Sequence, residues 1–373
     1  MRTTFTRAVA VSIAATTIAA MAACSPPEKK SSASSSGAAK ATSAADLGGM
    51  DALVAAAKKE GQLNVIALPP NWANYGEIIK SFGDKYGIKV NSAQPDGSSQ
   101  DEINAATQLK GQAGAPDVFD LGAAVAGANT AKFAPYKVST FADIPDALKD
   151  PSGTWVNDYG GYMSIGYDSA KVPAPTGVAD LLKPEYKGKV ALNGDPTQAG
   201  AAFNGVVMAA IGSGGTADNI QPGLDFFGKL KKAGNFLPVN PSATTIVSGQ
   251  TPVVFDWDYL NVAVTPKLST WKVIVPANAV VGSYYNQAIS LDSPHPAAAR
   301  LWEEFLYSDA GQNLWLKGGA RPVRADSMQK AGTLDATAVA ALPKVDGTPI
   351  FLTAAQTATA KDLLAKNWAK TIG

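Results

Sequence analysis

Apolar residues recur along this chain with two different periods, and the periods alternate. Leu53 to Lys59 reads as a helix that carries Lys58 and Lys59 in its last turn and stops at Gly61. Leu63 to Leu68 is a short apolar run ended by Pro69-Pro70, the pattern of a buried strand. Tyr75, Ile78, Ile79 and Phe82 then return at helical spacing up to Gly87, and Ile88-Lys89-Val90 is the next strand. Ser99-Gln100-Asp101-Glu102 has the capping-box spacing and opens a helix through Leu109. Asp117 to Leu121 is a third strand, followed by a helix of small residues. Such alternation predicts an α/β unit whose parallel sheet is covered on both faces.

A Tyr- and Gly-rich extended segment, Trp155 to Tyr167, leads into a second α/β unit. Its strands are predicted at Gly188–Leu192 and Pro252–Phe255, and its helices at Ala199–Ile211 and Leu224–Lys232. Two further extended runs, Lys272–Val275 and Tyr284–Leu291, precede helices at Ala297–Tyr307 and Ala354–Trp368. No internal repeat of solenoid length is present. In doubly wound sheets, ligands bind beyond the carboxyl ends of strands. The loops in that position are Pro69-Pro70-Asn71-Trp72, Pro95 to Ser99, Gly194 to Gln198, and Asp256-Trp257-Asp258-Tyr259. They are polar and aromatic, as a site gripping a small polar solute requires.

The amino terminus departs from this globular pattern. Arg2 and Arg7 precede an apolar stretch from Ala8 to Ala20, and Met21-Ala22-Ala23 lead to Cys24. That is a secretory signal (residues 1–23), too short to span a bilayer comfortably. Small residues just before a cysteine resemble a bacterial lipobox, in which the cysteine is diacylated and the protein anchored without spanning the membrane. Residues 25–45 contain no aromatic or large aliphatic side chain. With Cys24 they are expected to form a flexible tether, because such a segment buries too little surface to offset its ordering entropy.

Composition narrows the chemistry. The 373 residues hold 32 Lys+Arg against 31 Asp+Glu, one cysteine and one histidine. Removing the signal takes the charge from +1 to −1. The tether carries +2, which leaves the body from Asp46 at −3. There is no basic footprint for nucleic acid. A single cysteine provides neither an internal disulfide nor a thiolate zinc site, and a single histidine argues against a Ser/His/Asp triad or a multi-histidine metal site. His295, between Pro294 and Pro296, is expected to cap a helix or lie on the surface. No Gly-x-x-x-x-Gly-Lys-Ser/Thr phosphate loop is present, so the chain is not an ATPase of that class.

Several segments resemble solute-binding lipoproteins of ABC importers, in the branch that binds ferric iron, polyamines, thiamine and aminophosphonates. They are Glu60 to Val65, Ala115-Pro116-Asp117-Val118, Leu181 to Val190, and His295 through Gln312. The resemblance covers about residues 50–330. It implies a two-lobed periplasmic-binding-protein-like α/β fold with hinge-crossing strands near Gly160–Tyr167 and Tyr284–Leu291. Lobe 1 would be 46–160 with 285–373, and lobe 2 would be 161–284. It further implies a monomeric, non-enzymatic protein without cofactor, outside the cytoplasm, which hands a small molecule to a membrane permease.

Two signals bear on the ligand. Asp256, Trp257, Asp258 and Tyr259, with Trp72, Tyr75, Tyr284 and Tyr285, set acids beside aromatic faces. On a strand, Asp256 and Asp258 would share one face, and such a set suits an organic ammonium. The alternative is that Asp256 caps a turn while Trp257 packs in the core. The resemblance to polyamine binders lacks one carboxylate, because the return strand offers Tyr284-Tyr285-Asn286. The second signal is a pair of helix openings, Ser98-Ser99 and Asp195 to Gln198 with Thr197, where free N–H groups favour an anion. The same residues are also what helix caps need with no ligand. Together these signals indicate an amine-bearing solute held by Asn71, Trp72, Tyr75, Ser98, Ser99, Asp195, Thr197, Gln198, Asp256 to Tyr259, and Tyr284 to Asn286. Ferric iron is the rival within the family. An extracellular hydrolase using Asp256 and Asp258 is the rival outside it, although two acids that close fall short of the usual carboxylate separation.

Overall fold

The structure, a computed structural model, describes residues 33–373; the signal segment, Cys24 and the first part of the tether lie outside the described residues. Helix α1 (Ala33–Lys40) and a 3-10 turn at Ala44–Leu47 precede α2 (Met50–Glu60) and β1 (Gln62–Ile66). Then come α3 (Tyr75–Tyr86), β2 (Lys89–Ala93), α4 (Ser99–Gln108), β3 (Val118–Gly122), α5 (Ala123–Ala128) and the two-residue β4 (Phe133–Ala134). The long β5 (Val156–Asp168) leads to β6 (Val190–Leu192), α6 (Gly200–Gly212), α7 (Gln221–Ala233), α8 (Ala243–Val247), β7 (Val253–Trp257), α9 (Asp258–Val262) and β8 (Trp271–Ile274). The chain ends with β9 (Gly282–Ser290), α10 (Pro296–Leu306), α11 (Asp309–Lys317), β10 (Arg321–Pro322), α12 (Ala325–Ala331), α13 (Ala336–Ala340) and α14 (Ala354–Ile372).

Two strands run between the halves. The first part of β5 pairs antiparallel with β9 and β10, and its second part, from Met163, pairs with β7 and β8. Strand β9 also pairs with β3 along Tyr285–Ile289. Where β5 passes from one set of partners to the next it carries Gly160 and Gly161. A Cβ on Gly160 would fall 2.4 Å from the Ser283 carbonyl oxygen, and one on Gly161 would fall 2.6 Å from Asp258 Oδ1. Only glycine permits that approach of backbone and carboxylate. The fold is the mixed α/β periplasmic-binding-protein fold.

Parallel pairing between named strands, expected for the sheet of the first unit, occurs at β1–β2 and β6–β7, while the crossing strands run antiparallel to their neighbours and make the sheet mixed. Helix α6 is buried from Ala201 to Ala210, consistent with its being apolar on all sides. Every residue of α10 is buried, including Arg300, Glu303 and Glu304.

Two expectations about the chain's organisation are corrected. Residues 33–47 are not a free tether. Ala38 and Ala41 are buried, and the fully buried Arg300 guanidinium donates to the Ala39 and Ala41 carbonyls at 3.0 and 2.8 Å. The small residues dock because a distant arginine satisfies their carbonyls at the end of α1. The C-terminal helix α14 does not rest on the first half alone. Its stripe Ala360, Leu364 and Trp368 is buried, and Trp368 meets Phe227 of α7 edge-on at 5.4 Å, while another part of α14 contacts α5. Of the two roles expected for His295, the structure shows the cap: it precedes α10 as its N-cap residue, buried between Asp117 (2.9 Å) and Gln62 (2.8 Å).

Candidate functional site

Five aromatic rings converge where the crossing strands pass between the halves. Tyr159 from β5 and Tyr285 from β9 stack with centroids 5.4 Å apart and planes 8° from parallel. From the second half, Trp257 ends β7 and Tyr259 follows in the first turn of α9; their rings lie parallel at 6.2 Å. Trp72, in the loop after β1, meets Tyr285 and Tyr259 edge-on at 5.9 and 6.2 Å. Its indole N–H donates to the Tyr159 hydroxyl at 2.8 Å. Edge-to-face and offset geometries of this kind contribute roughly 0.5–1.5 kcal/mol per pair beyond burial.

Two carboxyl groups stand at this ring cluster, one from each half. Asp120, in the middle of β3, is 7% exposed; its Oδ2 accepts from the Tyr75 and Tyr159 hydroxyls, each at 2.9 Å. Its Oδ1 has no hydrogen-bond partner, and neither does the buried Tyr259 hydroxyl. Asp256, at the end of β7, accepts from the Trp257 amide at 2.8 Å and from Asn193 Nδ2 at 2.9 Å. Burial pushes both carboxyl groups up to about 7, against tyrosine hydroxyls at Asp120 and hydrogen bonds at Asp256 that pull the other way. Burial likewise raises the hydroxyls of Tyr75, Tyr159, Tyr259 and Tyr285. The arrangement is an acid-lined aromatic box, its rings packed against one another and its two carboxyl groups raised by burial.

Not every residue expected at the site is brought there. Asp258 does not share a face with Asp256, because the strand ends at Trp257 and Asp258 turns into α9. Its buried carboxylate pairs with Arg321 and accepts from the Tyr162 and Tyr259 amides at 3.1 and 3.0 Å, so it is already neutralised. This also removes the acid pair on which the hydrolase alternative depended. Tyr284 points away from Tyr285 and stacks on Phe351 at 6.0 Å. Asn286 donates to the Leu121 carbonyl and stitches β9 to β3.

At the proposed anion cradle, Ser98 and not Ser99 is the N-cap of α4, in a reciprocal box with Asp101, and Ser99 Oγ accepts from the Gly122 amide at 3.0 Å. Asp195 and Thr197 close a local turn at 2.7–2.8 Å, while Gln198 and Asn71 are exposed. Helix α6 begins at Gly200 without a side-chain cap. A Cβ on Gly200 would lie 3.3 Å from the Tyr285 hydroxyl.

Asp120, Tyr159 and Arg321 were not anticipated. For Asp120 a signal exists: an acid in the interior of the apolar run Val118-Phe119-Asp120-Leu121 has to be satisfied by something. Tyr159 lies in the Tyr- and Gly-rich segment without a periodicity to distinguish it.

No curated protein sequence shows detectable similarity to the chain. Solved structures match over most of its length. AfuA from Actinobacillus pleuropneumoniae, a periplasmic binding protein with exogenous fructose-6-phosphate bound, is 15% identical, with 84% of this chain and 99% of that one covered and a TM-score of 0.64. Iron-bound HitA from Pseudomonas aeruginosa is 20% identical, with coverages of 82% and 97% and a TM-score of 0.60. The spermidine/putrescine ABC transporter substrate-binding protein PotD from Streptococcus pneumoniae is 15% identical, with coverages of 84% and 99% and a TM-score of 0.58. At these identities the likeness is one of fold. A family model, by contrast, matches residues 114–344, well over half the chain and including both crossing strands and most of the box. The chain therefore belongs to the bacterial extracellular solute-binding proteins, which bind their solute without transforming it.

Proposed function

We propose that this protein is the substrate-binding lipoprotein of an ABC importer and captures a small amine-bearing solute, of polyamine, thiamine or aminophosphonate type, between its two halves. The observation that carries the reading is the box itself. Aromatic rings from both halves pack beside two buried carboxyl groups, and the groups bonded to those acids among the described residues are hydroxyls and amides. A cationic head supplies what that environment lacks: cation–π attraction of about 0.5–2 kcal/mol per ring and a donor for Asp120 Oδ1. The likeness of fold to PotD agrees with this chemistry. Lobe 1 would comprise the chain before Gly160 and from β9 through β10, and lobe 2 the segment between the crossing strands. Diacylation of Cys24 would hold the protein at the outer face of the membrane, close to its permease.

Ferric iron is the second reading, favoured by the free Tyr259 hydroxyl beside Tyr285 and by the likeness of fold to HitA. Against it, burial pushes both hydroxyls upward, away from the tyrosinate form iron requires.

Native mass spectrometry of protein purified without denaturation tests the two together. An adduct with the mass of an organic amine, weakened tenfold or more by Trp257→Ala in a folded protein, is the expected result. A coloured ferric adduct in place of an amine sinks the proposal.

A further inference from the structure

We propose that Asp120 contacts the ligand directly and that a cationic solute takes the place of a proton there, so that capture releases a proton. This rests on the amine reading above and specifies how the same site is regulated.

The groups around Asp120 leave a bare carboxylate poorly served. From α3, Tyr75 donates to Oδ2, and from β5, Tyr159 does the same. From α4, the buried Glu102 accepts the Asp120 amide at 2.9 Å. Asp158, also on β5 and fully buried, joins the same network through Gln287, whose amide donates to both Asp158 (2.9 Å) and the Tyr75 hydroxyl (3.0 Å). From the second half Tyr259 approaches, from β9 Tyr285, and from α10 and the residue after it Glu303 and Tyr307.

These facing groups are hydroxyls and acids. The buried arginines are engaged elsewhere, Arg300 by the Ala39 and Ala41 carbonyls and Arg324 by Asp143 and Asp309, and the half-buried Arg321 is held by Asp258. Four buried acids, Glu102, Asp120, Asp158 and Glu303 of α10, thus share one neighbourhood, and burial raises all four. Without ligand, the way to avoid a buried unpaired charge is to keep a proton.

A protonated amine changes that balance. Placed against Oδ1, its N–H donates to the oxygen that lacks a partner, and its charge makes ionisation favourable. The carboxyl O–H bond breaks, its proton leaves to solvent, and an N–H···O bond replaces it, so charge at the site is conserved. The selectivity follows directly. A quaternary ammonium can fill the rings but leaves Oδ1 without a donor, so the box favours a cation carrying N–H groups. Below the raised titration of Asp120, binding must expel a proton and weakens as pH falls; above it, the acid is already ionised and the dependence disappears.

Calorimetric titration with putrescine, spermidine and 2-aminoethylphosphonate, in two buffers of different ionisation enthalpy, tests this at about pH 6 and about pH 8. At the lower pH the heats should differ between buffers by at least one released proton per amine bound, and affinity should fall about tenfold per pH unit below about pH 7. Asp120→Asn, which keeps the shape and can still accept the tyrosine hydroxyls, should release about one proton fewer and lose the matching pH dependence. Asp256→Asn should retain the Asp120 proton. Buffer-independent heats at about pH 6, or release abolished by Asp256→Asn and untouched by Asp120→Asn, overturn the exchange while leaving amine binding intact. If none of the three amines binds even at about pH 8, the amine reading falls and the exchange falls with it.

Discussion

The Arg321–Asp258 pair joins the first half of the chain's fold to the second beside the crossing strand, and its loss should be felt asymmetrically. Asp258 is fully buried, whereas the Arg321 side chain is 17% exposed and lies 4.6 Å over the Tyr162 ring. Replacing Arg321 with methionine preserves bulk but leaves the carboxylate with only the Tyr162 and Tyr259 amides. Removing one partner of a buried pair costs about 3–5 kcal/mol, because the surviving charge stays desolvated.

Burial already raises Asp258 even with the arginine opposing it, so without Arg321 it must rise further. A carboxyl raised in the folded state holds a proton that the unfolded chain releases. Stability is then lost as pH rises through that window and recovered as pH falls. Urea denaturation should therefore show a loss of about 3–5 kcal/mol for Arg321→Met at about pH 8, shrinking toward about pH 5. Asp258→Asn should cost less, since Arg321 keeps the Tyr162 ring and the Pro343 carbonyl at 3.3 Å. The double variant should recover part of the loss. A cost below about 1 kcal/mol for Arg321→Met at about pH 8, or an equal cost for Asp258→Asn, refutes the assignment of this pair as a buried structural tie.

Asp120 and Asp256 make the unliganded protein lose stability as pH rises from about 4 to about 7, by up to roughly 4 kcal/mol for each group raised about three units. Denaturation midpoints across that range should flatten in Asp120→Asn/Asp256→Asn, and a wild-type stability that climbs with pH there contradicts the assignment. Arg300→Met should release α1, read as loss of hydrogen-exchange protection around Ala38–Ala41 while β1 stays protected. Protection unchanged at those amides means that the guanidinium is not what docks the segment.

How much of this was readable in advance depends on how far apart the interacting residues are. Helices α3, α7 and α10 follow from apolar spacing within a dozen residues, and their caps and glycine stops are equally local. The docking of α1 is not local. Ala38 and Ala41 bury almost no surface of their own, and the group that holds them is 259 residues away from Ala41. Asp258 failed for the same reason: strand alternation was applied one residue too far, and the arginine that claims it lies 63 residues on. The crossing strands follow from the family resemblance, but nothing in the Tyr- and Gly-rich run itself shows that β5 changes partners halfway. Its own residues look alike on both sides of Gly160–Gly161. The aromatic content of the site was legible at Trp72, Trp257 and Tyr285, but the carboxyl from the first half was not assigned, although an acid inside an apolar strand marked it.

The box divides into a part that stays assembled and a part that depends on the halves being together. Tyr159 and Tyr285 sit on β5 and β9, which pair with each other on both sides of a register shift between Asn157 and Gly160, so their stacking is a property of the crossing strands themselves. The Asp120 hydrogen bond to Tyr159 belongs to the same fixed part, because β3 is paired with β9. Trp72 and Tyr259 come from opposite halves, and their edge-on contact exists only when the halves meet, as does the approach of Gly200 to Gly122 and Tyr285. A ligand cation can thus be met first by the fixed acid and ring pair, and then be enclosed by rings and the second carboxyl arriving from the other half. In this order the buried charge is never left without a partner. Desolvation of Asp120 by closure is favourable with a cation already against Oδ1, and costly without one unless a proton is retained. If the solute is an amine, closure and charge compensation would be the same event in this site. That is why a solute with no N–H to offer should bind without stabilising the arrangement in which the two halves touch.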